Sequence, residues 1–182
     1  MLKLKIYRLL FLLNAKLELW RWWSNIYRVI FESKYSKFNG PKCSSIVDVS
    51  RALRAIKYEH DGIKRFIDTV SYPQAVYERG RDDCDGSAIF AHAMIAQNEL
   101  ARPWILSVAW LDEKNKYHGH AVCMYTHVDD GSYSHIGNWN QSMPVKCEDF
   151  KEVIGSITFG SVLVGWAVYG GDLKLYSCGS EA

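Results

Sequence analysis

The chain has 182 residues, 48% hydrophobic and 14% aromatic, with a formal net charge of +2. Such a length and apolar content describe one folded domain with an appendage and exclude a disordered or low-complexity chain. Near-balanced charge excludes a polyanion binder by overall composition, although the balance is uneven: residues 1–42 hold nine Lys/Arg against two Glu, and the remainder thirteen against eighteen acidic residues.

Residues 2–31 read as one long helix or two shorter ones, rich in Leu, Ile and Trp. Their longest charge-free run is Leu9 to Ala15, far short of the roughly 18 residues a membrane span needs. A signal peptide fits poorly as well, because more charge and Trp follow in place of a small-residue cleavage site. The basic, Trp-bearing pattern, with Trp20-Arg21-Trp22-Trp23 at its centre, fits a helix packed on its own domain or on a partner subunit, and also one lying on a membrane surface.

Residues 34–44 form a connector broken at Asn39-Gly40-Pro41. A helix is expected over 46–59, with Val47, Val49, Leu53 and Ile56 as buried positions, and Asp61-Gly62 ends it. Ile63 to Val70 reads as a further short helix or turn. Pro73 starts another helical piece, since proline is tolerated in a first turn, and Gly80 stops it. Then comes Arg81-Asp82-Asp83-Cys84-Asp85-Gly86-Ser87-Ala88-Ile89-Phe90-Ala91-His92-Ala93-Met94, a loop turning into a helix. Ile89, Phe90, Ala93 and Met94 fall at helical spacing. A short Asp carboxylate can cap the start, which leaves Cys84 where the helix's partial positive charge favours thiolate.

The pattern next changes to strands: 103–111, 117–127, 132–139 and 162–169, with a last short one at 173–176. Asp129-Asp130-Gly131 is a hairpin turn. Asn140 to Pro144 is a loop and Glu148 to Ile154 a short helix. Helices followed by an antiparallel meander make an α+β arrangement, with the Cys84 helix on the sheet.

A cysteine nucleophile needs a base within hydrogen-bond reach and a third group to orient that base. His92 lies two turns down the same helix, roughly 12 Å away, which is too far. His118 and His120 share one strand face; His118 is nearer the turn and more solvated, whereas His120 opens the apolar stretch beside Gly119. Folding about the turn sets Asn138 near Val122, within a residue or two of His120, where its amide can accept from the imidazole. Gln74 is a candidate oxyanion donor beside the Cys84 backbone N–H. Cys123 falls on the opposite strand face and reads as structural.

The five cysteines are odd in number and none is paired as CxxC, which argues against a disulfide framework or structural zinc and for a reducing, cytoplasmic setting. No carboxylate or cysteine completes a metal site with His118, His120, His127 and His135. Asp82, Asp83, Asp85 and Gly86 lack the alternating oxygen ligands and closing Glu of a calcium loop. No phosphate-binding glycine loop occurs.

Asp-Asp-Cys-Asp-Gly opening a helix, then Gly-His-Ala-Val-Cys-Met-Tyr, a hairpin and Ile-Gly-Asn-Trp, resembles the transglutaminase-like branch of the papain-like cysteine hydrolases of bacteria and phages. The resemblance covers about residues 46–170. It implies a papain-like fold with N-terminal helices packed on an antiparallel sheet, Cys84 as nucleophile, His120 as general base and Asn138 as third member. Asn stands where this branch usually has Asp, and Gly86 where a second Asp is common.

The chain is therefore expected to divide into a basic helical arm, 1–44, and a cysteine hydrolase domain, 45–182. The expected activity is thiol-dependent acyl hydrolysis or transfer through a thioester, as a peptidase, amidase or deamidase on a protein or peptide, with no cofactor, no metal and no nucleic-acid partner. The alternative is a retired fold of the same kind that binds or builds, attached to a membrane or an assembly through residues 1–31.

Overall fold

Fourteen residues of mostly small and apolar character, Cys84–Gln97, form the central helix. Its residues from Gly86 to Ala91 and from Ala93 to Ile95 are buried, so it is enclosed on nearly every side rather than on one stripe. The computed structural model describes residues 2–17, 34–35, 37–59, 70–127, 129–138 and 144–181. Within them lie helices α1 (Leu2–Leu17), α2 (Ile46–Arg54), α3 (Pro73–Arg79), α4 (Cys84–Gln97) and α5 (Phe150–Thr158). The strands are β1 (Lys57–Tyr58), β2 (Arg81–Asp82), β3 (Arg102–Leu111), β4 (Tyr117–Thr126), β5 (Tyr133–Ile136), β6 (Val145–Cys147), β7 (Val162–Tyr169) and β8 (Leu175–Gly179). The second half of the expected N-terminal helix with its Trp cluster, His60, the piece at 63–69, Trp139 and loop positions 140–143 lie outside the described residues.

Six strands form one antiparallel sheet in the order β6-β5-β4-β3-β7-β8, and β1 and β2 make a two-residue parallel pair. The result is a mixed α+β fold. Strand alternation sorts the sheet into two faces. Ile105, Ala121, Cys123, Tyr125 and Ala167 pack beneath α4 and its neighbours α2 and α3, in clusters with Ala88, Phe90 and Met94. Leu106, Val108, Trp110, Val122 and Met124 pack on the other face with Val153, Ile154 and Ile157 of α5.

Helix α1 lies on the α4 face. Leu4, Tyr7 and Phe11 rest on Ala109, Leu111 and Val164, and the Arg8 guanidinium donates to the Leu163 carbonyl at 3.2 and 3.3 Å. The expected arm thus contributes directly to the sheet layer. Residues 37–43 are tied to the end of α4: Gly40 N donates to Gln97 Oε1 at 3.0 Å and Cys43 N to Asn98 Oδ1 at 3.0 Å. No helix among the described residues is long and apolar enough to cross a membrane.

Several local expectations shift. The helix expected over 46–59 stops at Arg54, and Val47 is exposed while Val49, Leu53 and Ile56 are buried. β1, β2 and β6 were not anticipated. Two-residue and three-residue strands carry too little pattern to see, and Val145-Lys146-Cys147 is recruited only because β5 offers it an edge. The last strand begins at Leu175 rather than Leu173, since Leu173 has a φ of 62° in the preceding turn. All five cysteines are free thiols.

Candidate active site

Cys84 is the first residue of α4. Asp83 caps the helix, its carboxylate accepting from Asp85 N at 3.2 Å. Asp82 precedes it and is buried; its carboxylate accepts from Asp83 N at 3.0 Å and pairs with the Arg79 guanidinium. Burial raises the Asp82 carboxyl above its ordinary value, against hydrogen bonds from Ser71 and Asp83 N and the charge of Arg79. Gly86 makes the arrangement fit, because a β-carbon there would stand 2.2 Å from Asp82 Oδ1. The acidic turn is thus a braced helix start that holds Cys84 half-exposed.

A cavity of about 310 Å³ opens beside the cysteine. Its floor is the small-residue patch Ser107, Ala109, Gly119 and Ala121 on β3 and β4, paired in register as Ser107↔Ala121 and Ala109↔Gly119. Phe11, Asn14 and Ala15 of α1 form one wall and Tyr169 and Leu173 another; Asp83, Asp85, Val108, Tyr117 and His120 complete the lining. Cys84 and His120 therefore belong to one cavity.

His120 is almost wholly buried. Burial, and then the nearby His135, push its imidazole down to about 3, with Asp83 pulling the other way. It is therefore within electrostatic reach of both the α4 cap and the opposite face of the sheet. Alternation groups His120 with Val122 and Met124, on the α5 side, while Gly119 and Ala121 face α4. His135, across β4 from Met124, sits beneath α5. Its Nε2 lies 2.8 Å from Ser156 Oγ, which in turn donates to the Val153 carbonyl at 2.8 Å.

Asn138 follows the end of β5 and does not line the cavity. The β4–β5 register pairs Cys123 with Ile136. Extended by two residues it sets Asn138 against Ala121, one place from the Val122 expected. The Asn138 Oδ1 atom is buried and has no hydrogen-bond partner among the described residues. Gln74 is not brought to the cavity: its amide donates to Glu78 Oε1 at 3.0 Å along α3 and its oxygen accepts from Asn39 N at 3.1 Å. The oxyanion candidate at this position is occupied in holding the connector.

Two polar residues near the site went unnoticed in the sequence. Asn14 lines the cavity from α1; its signal is that it alone is polar in the run Leu9 to Ala15. Tyr58 on β1 feels the charges of Cys84, Asp83 and Asp85, which, after burial, raise its phenol. Its signal was too short to read, since it depends on the Tyr58↔Asp82 bridge. The remaining histidines have local partners: His118 Nε2 donates to Asp112 Oδ2 at 2.9 Å and stacks near Trp110, and His127 Nε2 lies 2.8 Å from Ser134 Oγ. Cys123 is fully buried, and burial pushes its thiol strongly up. Among the described residues, one carboxylate cluster has oxygens within 4.8 Å of one another, Asp82, Asp83 and Asp85, and the cap and the Arg79 pair already engage two of them.

Compared with models of known protein families and with curated proteins, the chain matches none.

Proposed function

We propose that the protein is a thiol-dependent acyl hydrolase or transferase of the papain-like, transglutaminase-like kind, acting on a protein or peptide in a reducing, cytoplasmic setting. The observation that carries this reading is a half-exposed cysteine at the first position of a buried helix, sharing one cavity with a neutral imidazole. In the proposed cycle His120 takes the Cys84 proton as sulfur attacks an amide or ester carbonyl. The tetrahedral intermediate collapses to a thioester, and the leaving amine or alcohol departs with that proton. Water, or an amine in transfer, then gives a proton to His120, attacks the thioester and regenerates the thiol. The Cys84 backbone N–H at the helix start faces developing negative charge, and Asn14 is the amide on the cavity wall best placed to add a second donor.

Asn138 is proposed as the group that orients His120 in the working enzyme, although its Oδ1 makes no hydrogen bond to the ring in the structure. Being neutral, it would fix a tautomer of the uncharged resting ring while adding little to the stability of the imidazolium that forms when His120 takes the Cys84 proton.

One observation favours a second reading, a retired site in a binding protein. Along β4 the residues of His120's own face pack beneath α5, away from α4, and Asn138 stands off the cavity. Alkylation with iodoacetamide at about pH 6, where an ordinary thiol is almost fully protonated, separates the two. Fast, selective labelling of Cys84 that is lost in His120→Ala supports the enzyme. Labelling of Cys84 no faster than Cys43 and Cys178, and unchanged in His120→Ala, overturns it in favour of the retired site.

A further inference from the structure

Helix α1 has two apolar faces. One, made of Leu4, Tyr7, Phe11 and Ala15, packs on the sheet and walls the Cys84 cavity. The other is open to solvent: Leu2, Ile6, Leu9, Leu10 and Leu13 are 41–74% exposed, five of the twelve large apolar side chains exposed among the described residues. At about 100° per residue these five fall within a stripe roughly 100° wide, centred nearly opposite the packed face. Lys3 borders the stripe on one side, and Lys5 and Lys16 border it on the other. The helix contains no Asp or Glu.

We infer that this stripe is a docking face for an anionic lipid bilayer. An apolar strip about a third of the helix circumference wide, edged on both sides by lysines whose stems can reach up to headgroups, suits a helix lying in the plane of a membrane surface. Its charge argues against a second copy of the chain as the occupant, because pairing two such helices brings lysine rows together with no carboxylate between them. Anionic headgroups supply the missing counter-charge, and acyl chains accept the leucines. With α1 so placed, the cavity wall made by Phe11, Asn14 and Ala15 stands about one helix diameter from the headgroups. Substrates tethered to the membrane are then the ones presented to Cys84. Docking itself requires nothing of the Cys84 chemistry, and its test reads binding alone.

The full chain should co-sediment with phosphatidylcholine vesicles containing roughly one third phosphatidylglycerol, with binding to pure phosphatidylcholine lower by about tenfold or more. Lys5→Glu/Lys16→Glu should cut binding to the anionic vesicles by a similar factor. Leu9→Gln/Leu13→Gln, which changes exposed positions and leaves the packed face intact, should abolish binding while the circular dichroism melt stays in place. Absence of co-sedimentation, or binding unaffected by Leu9→Gln/Leu13→Gln, overturns the inference. So does a vesicle-independent dimer that the same leucine changes convert to monomer, which assigns the stripe to self-association. A Cys84→Ala chain should bind as the parent does, so failure of the proposed chemistry and failure of docking are told apart.

Discussion

The ring of Phe11 lies against the α-carbon of Gly165, where a β-carbon would stand 2.4 Å from Phe11 Cδ1. A glycine in the middle of β7 is the socket that lets α1 sit close on the sheet. Gly165→Ala should push the ring out and loosen α1, at a cost of about 1–3 kcal/mol. In a Phe11→Ala background the same change should cost far less, because no ring fills the socket. Urea unfolding of the four members of this cycle, with hydrogen exchange of the α1 amides, measures the coupling.

Three histidines are held neutral by burial: His92 and His135 are lowered to about 4 and His120 to about 3. In the unfolded chain each titrates near the ordinary value of about 6.5. Between that value and about 4 the unfolded state binds more protons, so stability is full above pH 6.5 and falls as pH drops through this window. Each histidine contributes at most about 1.4 kcal/mol per pH unit. The urea midpoint should fall from pH 7 to pH 5, and the fall should shrink in His135→Gln.

The buried Asn138 Oδ1 has no partner among the described residues, and an unsatisfied buried acceptor costs about 1–3 kcal/mol. Asn138→Leu, close in shape and without the polar atom, should therefore leave stability unchanged or raise it, while slowing Cys84 alkylation. A rise in the urea midpoint together with a lower alkylation rate is the expected pair of results. A gain in stability without loss of rate removes Asn138 from the proposed triad.

Gly86 leaves space for the Asp82 carboxylate, and a β-carbon there would come within 2.2 Å of Asp82 Oδ1. Gly86→Ala gains helix propensity on paper, yet it should destabilise, because displacing Asp82 breaks its bonds to Asp83 N and Arg79. The cap at Asp83 then loosens and the α4 start frays. Thermal melts should show a lower midpoint for Gly86→Ala, and Asp82→Ser should remove most of the added cost of Gly86→Ala.

What could be read in advance was whatever the chain repeats locally. The capped start at Cys84, the stop at Gly80 and strands β3, β4 and β7 all announce themselves by spacing, by glycine or by β-branched and aromatic content. What could not be read depends on a partner distant in sequence. Val145–Cys147 is a strand only because β5 lies beside it. Gln74 carries no mark showing that its amide will hold Glu78 and Asn39. The hairpin register missed by one residue, which moved Asn138 from Val122 to Ala121, because the turn at 127–132 closes with His127 N on Ser132 O rather than about its Asp-Gly centre. Asn14 stood out as polar in an apolar run, but only the packing of α1 makes it part of the cavity.

The bond from Arg8 to Leu163 spans 155 residues of sequence. During synthesis α1 emerges long before β7; Leu4, Tyr7 and Phe11 can meet Ala109 and Leu111 of β3 first, whereas the Arg8 bond and the Gly165 socket exist only once β7 has been made. Domains generally fold as units, so the full seat of α1, and with it the wall of the Cys84 cavity, is completed only when β7 joins the sheet. Closing the cavity thereby depends on contacts of long sequence separation, whose loop-closure cost must be met before they add stability.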